Sequence, residues 1–132
     1  MTKRPDVAAP PACILIVDDE RQNRELLEVM LAPEGYRLVT ATSGAEALER
    51  VAHEAPDLIL LDIMMPGMDG YQVAARIKAD AATRDIPVVM LTALDDRSSR
   101  IHGLSVGAVE FLTKPLNRTE LCERVKALLR VA

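Results

Sequence analysis

Five polar residues that close apolar runs could do chemistry together. Asp18 and Asp19 follow Cys13-Ile-Leu-Ile-Val17, Asp62 follows Leu58-Ile-Leu-Leu61, Thr92 follows Val88-Val-Met-Leu91, and Lys114 stands before Pro115. Singly, each has an ordinary role. Asp18 and Asp19 could cap a following helix and complement its dipole. Asp62 could open the turn towards Pro66, Thr92 could be a structural hydroxyl, Lys114 a solvated charge and Pro115 a strand terminator. At one sheet edge they would form a different object. Two like charges about 4 Å apart repel by roughly 4 kcal/mol at an effective dielectric near 20. Three carboxylates at one mouth therefore call for a cation. A divalent ion with oxygen ligands and retained waters, Mg²⁺ above all, suits them, and no nearby His or Cys suggests zinc. A carboxylate surrounded by a hydroxyl, an ammonium and such an ion is equipped for phosphoryl transfer, which works by positioning and charge neutralisation.

The surrounding pattern explains how these residues could meet. Strands are expected over 13–17, 36–41, 58–61, 86–91 and 109–112. Helices are expected over 20–32, 44–54, 70–79, 96–106 and 118–130. Pro33 and Gly35 stop the first helix, Ser43 caps the second and Asp69 the third. The inward positions are Leu26, Leu27, Met30 and Leu31 on the first helix, and Ala47, Leu48 and Val51 on the second. On the last helix they are Leu121, Val125, Leu128 and Leu129. Near-continuous apolar strands imply burial on both faces, and strands joined by helices must be parallel with right-handed crossovers. The expected fold is an α/β, doubly wound, five-stranded parallel sheet of flavodoxin-like order 2-1-3-4-5, with helices on both faces. Its ligands bind beyond the carboxyl ends of the strands, where the first and third strands lie side by side.

Composition agrees. The 132 residues suit one domain, with 1–11 as a disordered tail and 12–132 as the folded unit. Tyr36, Tyr71 and Phe111 are the only aromatics, so the core must be aliphatic. A net charge of −4 without a basic stripe argues against direct nucleic-acid binding. No apolar run is long enough to span a membrane and no signal peptide is recognisable, so a cytoplasmic protein is expected. Cys13 and Cys122 sit in apolar stretches and read as small hydrophobes, while Met64, Met65, Met68 and Met90 read as packing. His53 and His102 read as surface residues.

The segments Ile-Leu-Ile-Val-Asp18-Asp19-Glu20, Leu-Ile-Leu-Leu-Asp62-Ile-Met-Met-Pro66-Gly-Met-Asp69-Gly70, Val-Val-Met-Leu-Thr92-Ala93 and Phe111-Leu-Thr-Lys114-Pro115 closely resemble the response-regulator receiver domains of bacterial two-component systems. The resemblance spans residues 12–131. It implies that Asp62 is the phosphoacceptor and that Asp18, Asp19, Asp62 and the backbone carbonyl of Met64 hold Mg²⁺, with Mn²⁺ as an alternative. Lys114 would pair with Asp62 or the phosphoryl group, and Thr92 would bond the phosphoryl oxygen. Phe111 would change packing with Thr92, and the Lys114–Pro115 peptide would be cis. The implied partner is a histidine kinase or a histidine phosphotransfer protein, with an output domain or downstream protein that the sequence does not name. Residues 92–115 look most like receivers attached to cyclic-di-GMP enzymes or those of hybrid sensor kinases.

The implied role is a signalling switch that catalyses only its own phosphorylation and slow dephosphorylation. Phosphorylation would change the face built from the fourth strand, the helix over 96–106, the fifth strand and the last helix. That face could also support a phosphorylation-dependent homodimer. Met64 and Leu94, two residues past the acceptor and the threonine, would flank the path of the hydrolytic water. Three other readings fit less well. A haloacid-dehalogenase-type enzyme needs an Asp where Met64 stands. A flavin carrier needs a hydroxyl-rich loop where Asp18-Asp19-Glu20 stands, and a P-loop enzyme needs a glycine-rich lysine motif that the sequence lacks.

Overall fold

A computed structural model describes residues 11–93 and 110–131. Residues 1–10 of the expected tail, the helix over 96–106, Leu94, His102 and Val109 lie outside the described residues. Within them, the strands are β1 (Cys13–Val17), β2 (Arg37–Ala41), β3 (Leu58–Asp62), β4 (Val88–Thr92) and β5 (Glu110–Thr113). All neighbouring strands pair in parallel, in the order β2-β1-β3-β4-β5. The helices are α1 (Arg21–Leu31), α2 (Gly44–Glu54), α3 (Gly70–Ala79) and a C-terminal helix (Arg118–Val131).

Successive side chains on a strand point to opposite faces, so the apolar runs feed two cores. Leu15, Val17, Ile59, Leu61, Val88 and Met90 pack with Ala47 and Val51 of α2 and Val73, Ala74 and Ile77 of α3. Ile14, Ile16, Leu58, Leu60, Val89 and Leu91 pack with Leu27 and Leu31 of α1 and Leu121 and Val125 of the C-terminal helix. Both cysteines are buried, and Met65 and Met90 fill the core on the α2–α3 side.

The boundaries move from expectation where backbone donors decide. β4 begins at Val88, because Pro87 has no N–H for the ladder. β2 begins at Arg37, whose N–H reaches the Ala12 carbonyl. After α1 the chain tightens into a 3-10 turn over Ala32–Glu34 and leaves it through Gly35 at φ 83°. Leu26 does not belong to the core: Leu27 and Leu31 make the buried stripe, and Leu26, one position away and so rotated about 100° on the helix, is 49% exposed. Met64 is likewise 65% exposed rather than packed. Ser43 accepts the Glu46 N–H at 3.1 Å, and Asp69 and Gln72 form a reciprocal capping box at the start of α3.

Gly70 ties α3 to the end of β3. Its N–H donates to the Ile63 carbonyl at 2.9 Å, and a Cβ there would lie 2.5 Å from the Asp62 carbonyl oxygen. Alanine gains at most about 1 kcal/mol in helix propensity, a figure for helix interiors that falls at this first position of α3, whereas overpacking against backbone costs typically about 1–3 kcal/mol, and here no flexible side chain can yield. Gly70→Ala is therefore expected to lower the urea unfolding midpoint. An unchanged or higher midpoint would show that the loop yields freely.

Candidate functional site

The strand order places the ends of β1 and β3 side by side, and the acids meet there. One carboxylate oxygen from each of Asp18, Asp19 and Asp62 lies within 4.8 Å of the others. Asp18 and Asp62 are buried, with 1% and 4% of their surface exposed, whereas Asp19 is open to solvent. Lys114, arriving from the end of β5, puts its ammonium 2.8 Å from Asp62 Oδ1 and 3.9 Å from Asp18 Oδ2. Burial pushes the Asp62 carboxyl above its usual range, and the charges of Asp18 and Asp19 add to this; the hydrogen bond from Lys114 opposes them.

Asp18 is held from behind. Its N–H donates to the Ala41 carbonyl at 3.2 Å, and its Oδ1 accepts the Glu20 N–H at 2.9 Å in an Asx turn. Glu20, not Asp18 or Asp19, occupies the N-cap of α1. The second oxygen, Asp18 Oδ2, is buried with no hydrogen-bond partner among the described residues. The Lys114 ammonium, 3.9 Å away, offsets its charge without a hydrogen bond, and a buried acceptor left so is costly until a second cation or a water meets it. One carboxylate oxygen from each of Asp18, Asp19 and Asp62 makes a set of hard donors whose chemistry fits Mg²⁺.

Thr92 ends β4, one register step beyond the Asp62–Leu91 pair, and is 1% exposed. Its carbonyl accepts the Lys114 N–H at 2.8 Å, so the backbone of Lys114 is fixed by the strand that carries the hydroxyl. Phe111 pairs with Met90 in register and packs against the core on the α2–α3 side. The Lys114–Pro115 peptide is cis. Met64 lies two residues past Asp62 with its side chain in solvent.

Two residues that the sequence reading left unassigned also belong to this site. Arg24, one turn into α1, donates from Nη1 to the Asp18 carbonyl at 2.8 Å. Asn23 reaches Glu20 Oε1 at 3.0 Å and Asp18 Oδ1 at 3.4 Å. Their only sequence signal is a polar first turn, which any exposed helix start can show. A cleft of about 270 Å³ opens beside the acids between Asn23, Leu26, Lys114 and Pro115. A larger groove of about 700 Å³ lies between α2 and α3 and contains none of these residues. No described helix is long and apolar enough to cross a membrane.

Known proteins resemble this chain in sequence and in fold. The chain is 52% identical over 119 residues to the response regulator PleD of Caulobacter vibrioides, covering 90% of this chain and 26% of that one. It is 46% identical over 117 residues to the phosphate regulon transcriptional regulatory protein PhoB of Pseudomonas aeruginosa, covering 89% and 51%. The chain thus spans between a quarter and a half of the length of these relatives. Among solved structures, the receiver domain of a signal transduction histidine kinase from Syntrophus aciditrophicus superposes with a TM-score of 0.86 at 37% identity, covering 92% of both chains. The chemotaxis protein CheY4 of Vibrio cholerae superposes with a TM-score of 0.85 at 30% identity, covering 89% of this chain and 98% of that one. Residues 14–126 match the response regulator receiver domain, and the chain belongs to that family.

Proposed function

We propose that this chain is a phosphoacceptor switch in which Asp62 takes a phosphoryl group from a phosphohistidine, carried by a histidine kinase or a histidine phosphotransfer protein. The observation that carries this reading is the pairing of Asp62 with the Lys114 ammonium at 2.8 Å, beside the orphaned oxygen of Asp18. A free Asp62 oxygen attacks phosphorus in line, the P–N bond to the donor imidazole breaks, and the imidazole nitrogen leaves with the bonding pair. Mg²⁺, held by Asp18, Asp19, Asp62 and the backbone carbonyl of Met64, would neutralise charge on the phosphoryl oxygens. Lys114 offsets the charge that the acceptor gains, and the Thr92 hydroxyl donates to a phosphoryl oxygen.

The output follows from the same contacts. Drawing Thr92 towards the phosphoryl group alters what Phe111 packs against, and the face running from β4 through β5 to the C-terminal helix is the element that is biased. An output domain or separate partner would read this face, and a homodimer formed on phosphorylation would use the same one. A beryllofluoride mimic is expected to change hydrogen exchange most within residues 92–112; changes centred on residues 36–54 would refute that placement.

Treatment with acetyl phosphate or phosphoramidate and Mg²⁺ is expected to add one phosphoryl group to the intact protein by mass spectrometry. Asp62→Asn should add none. Asp19→Ala should bind Mg²⁺ more weakly and be labelled more slowly. Full uptake by Asp62→Asn would remove Asp62 as acceptor, and an unchanged Mg²⁺ affinity in Asp19→Ala would remove Asp19 as a ligand.

The lifetime of the phosphoryl group rests on Met64 and Leu94. Both are apolar and cannot orient the hydrolytic water; losing that help need raise the barrier by only about 1.4 kcal/mol to slow the step tenfold. Slow decay in excess Mg²⁺ is expected, with faster decay in Met64→Asn, Leu94→Glu and the double variant. Decay in the double variant no faster than in the parent would show that these positions do not control access of water.

A further inference from the structure

The carbonyl of Asp18 belongs to the peptide bond that joins Asp18 to Asp19. That peptide is planar, so its orientation sets the direction in which each of the two acids leaves the chain. The β1–β2 ladder stops one peptide short of it: the Asp18 N–H, part of the Val17–Asp18 peptide, reaches the Ala41 carbonyl at 3.2 Å, and β2 ends at Ala41. The carbonyl itself is taken by the Arg24 guanidinium at 2.8 Å, a partly buried, charge-assisted contact from the adjoining helix. Arg24 is anchored in turn, since its own N–H donates to the Glu20 carbonyl at 3.2 Å as α1 begins.

We propose that Arg24 is a positioning residue for the acidic pair: by clamping the Asp18–Asp19 peptide, it aims the free oxygen of Asp18 and the carboxylate of Asp19 at a shared cation. It touches neither the acceptor nor the phosphoryl group and acts through that peptide. The inference rests on the metal-binding reading above, but the two can fail separately.

The sign of the effect separates positioning from charge. Arg24 is a cation near an acidic site, so its charge alone opposes binding of a second cation. If charge were its whole contribution, removing it would tighten Mg²⁺ binding. If it clamps the peptide, removing it loosens the acids and weakens binding despite the lost repulsion. A residue that merely supports α1 would lower the melting temperature and leave the affinity of the folded protein unchanged.

Backbone amide shifts followed during titration with MgCl₂ alone, well below the melting temperature, distinguish these outcomes without reference to phosphorylation. Arg24→Met keeps the apolar stem and removes the donors; Arg24→Lys keeps a donor and the charge. The Met variant is expected to bind Mg²⁺ roughly tenfold more weakly, the scale of one charge-assisted hydrogen bond, with the Lys variant recovering most of the loss. Before any Mg²⁺ is added, amide shifts of the Met variant should differ from the parent most at residues 18–20. Binding by the Met variant that equals or exceeds the parent's overturns the clamp alone. A Lys variant as weak as the Met variant also overturns it. No binding by the parent would overturn the metal reading, and the clamp with it.

Discussion

Carboxylates do not gather without a reason, and the crowding of Asp18, Asp19 and Asp62 is the constraint around which this molecule is arranged. Their oxygens lie within 4.8 Å of one another, and two of the three side chains are buried. The Lys114 ammonium, 2.8 Å from Asp62, offsets one negative charge and leaves the cluster acidic. Burial and mutual repulsion both favour protonating Asp62, and Lys114 resists them. A site poised in this way gains more from a cation than a solvent-exposed trio of acids would, because water screens the charges of an exposed trio already. The orphaned oxygen of Asp18 is the local sign of that imbalance.

Holding repelling groups together requires a rigid frame, and the sheet supplies one. β1, β3 and β4 are buried along their whole lengths, so the acids at the ends of β1 and β3 cannot separate without opening both cores. The loops finish the work with backbone contacts. Gly70 lets the start of α3 lie against the Asp62 carbonyl, where any side chain would collide. Gly44 does the same for α2, where a Cβ would come within 2.8 Å of Met68 in the loop that follows Asp62. Neither glycine has a positive φ; each is there for close approach.

The three central strands were legible because two-faced burial writes itself as near-uninterrupted apolar runs, and with the more polar β2 and β5 at the edges parallel pairing leaves few arrangements. Asp62 and Asp18 could be placed together because each ends or directly follows such a run, and Lys114 joined them as the residue near the end of the fifth strand, before Pro115. What stayed hidden has a common cause. Whether Leu26 is core or surface depends on a single 100° step around α1, and both choices satisfy helical spacing. Met64 and Met65 are neighbours of one type, yet one is exposed and the other buried, a difference set by loop geometry alone. Arg24 was invisible as part of the site because its partner is a backbone carbonyl, and backbone acceptors leave no mark on composition or spacing.

Main-chain contacts hold the geometry of the acids. The acids themselves are too few to fix their own directions. Asp18 is gripped through its N–H by the Ala41 carbonyl, through Oδ1 by the Glu20 N–H and, at 3.4 Å, by Asn23, and through its carbonyl by Arg24; Oδ2, 3.9 Å from the Lys114 ammonium, has no hydrogen-bond partner among the described residues. Two of those partners, Ala41 and Glu20, are backbone groups, supplied by any sequence that folds this way; Asn23 and Arg24 are side chains. Lys114 is fixed by the same logic, its N–H bound to the Thr92 carbonyl before its ammonium reaches Asp62. The chemistry thus rests on side chains whose starting points are set by main-chain hydrogen bonds at the strand ends. A side chain that binds the main chain there, as Arg24 does, acts on the site as directly as one that faces it.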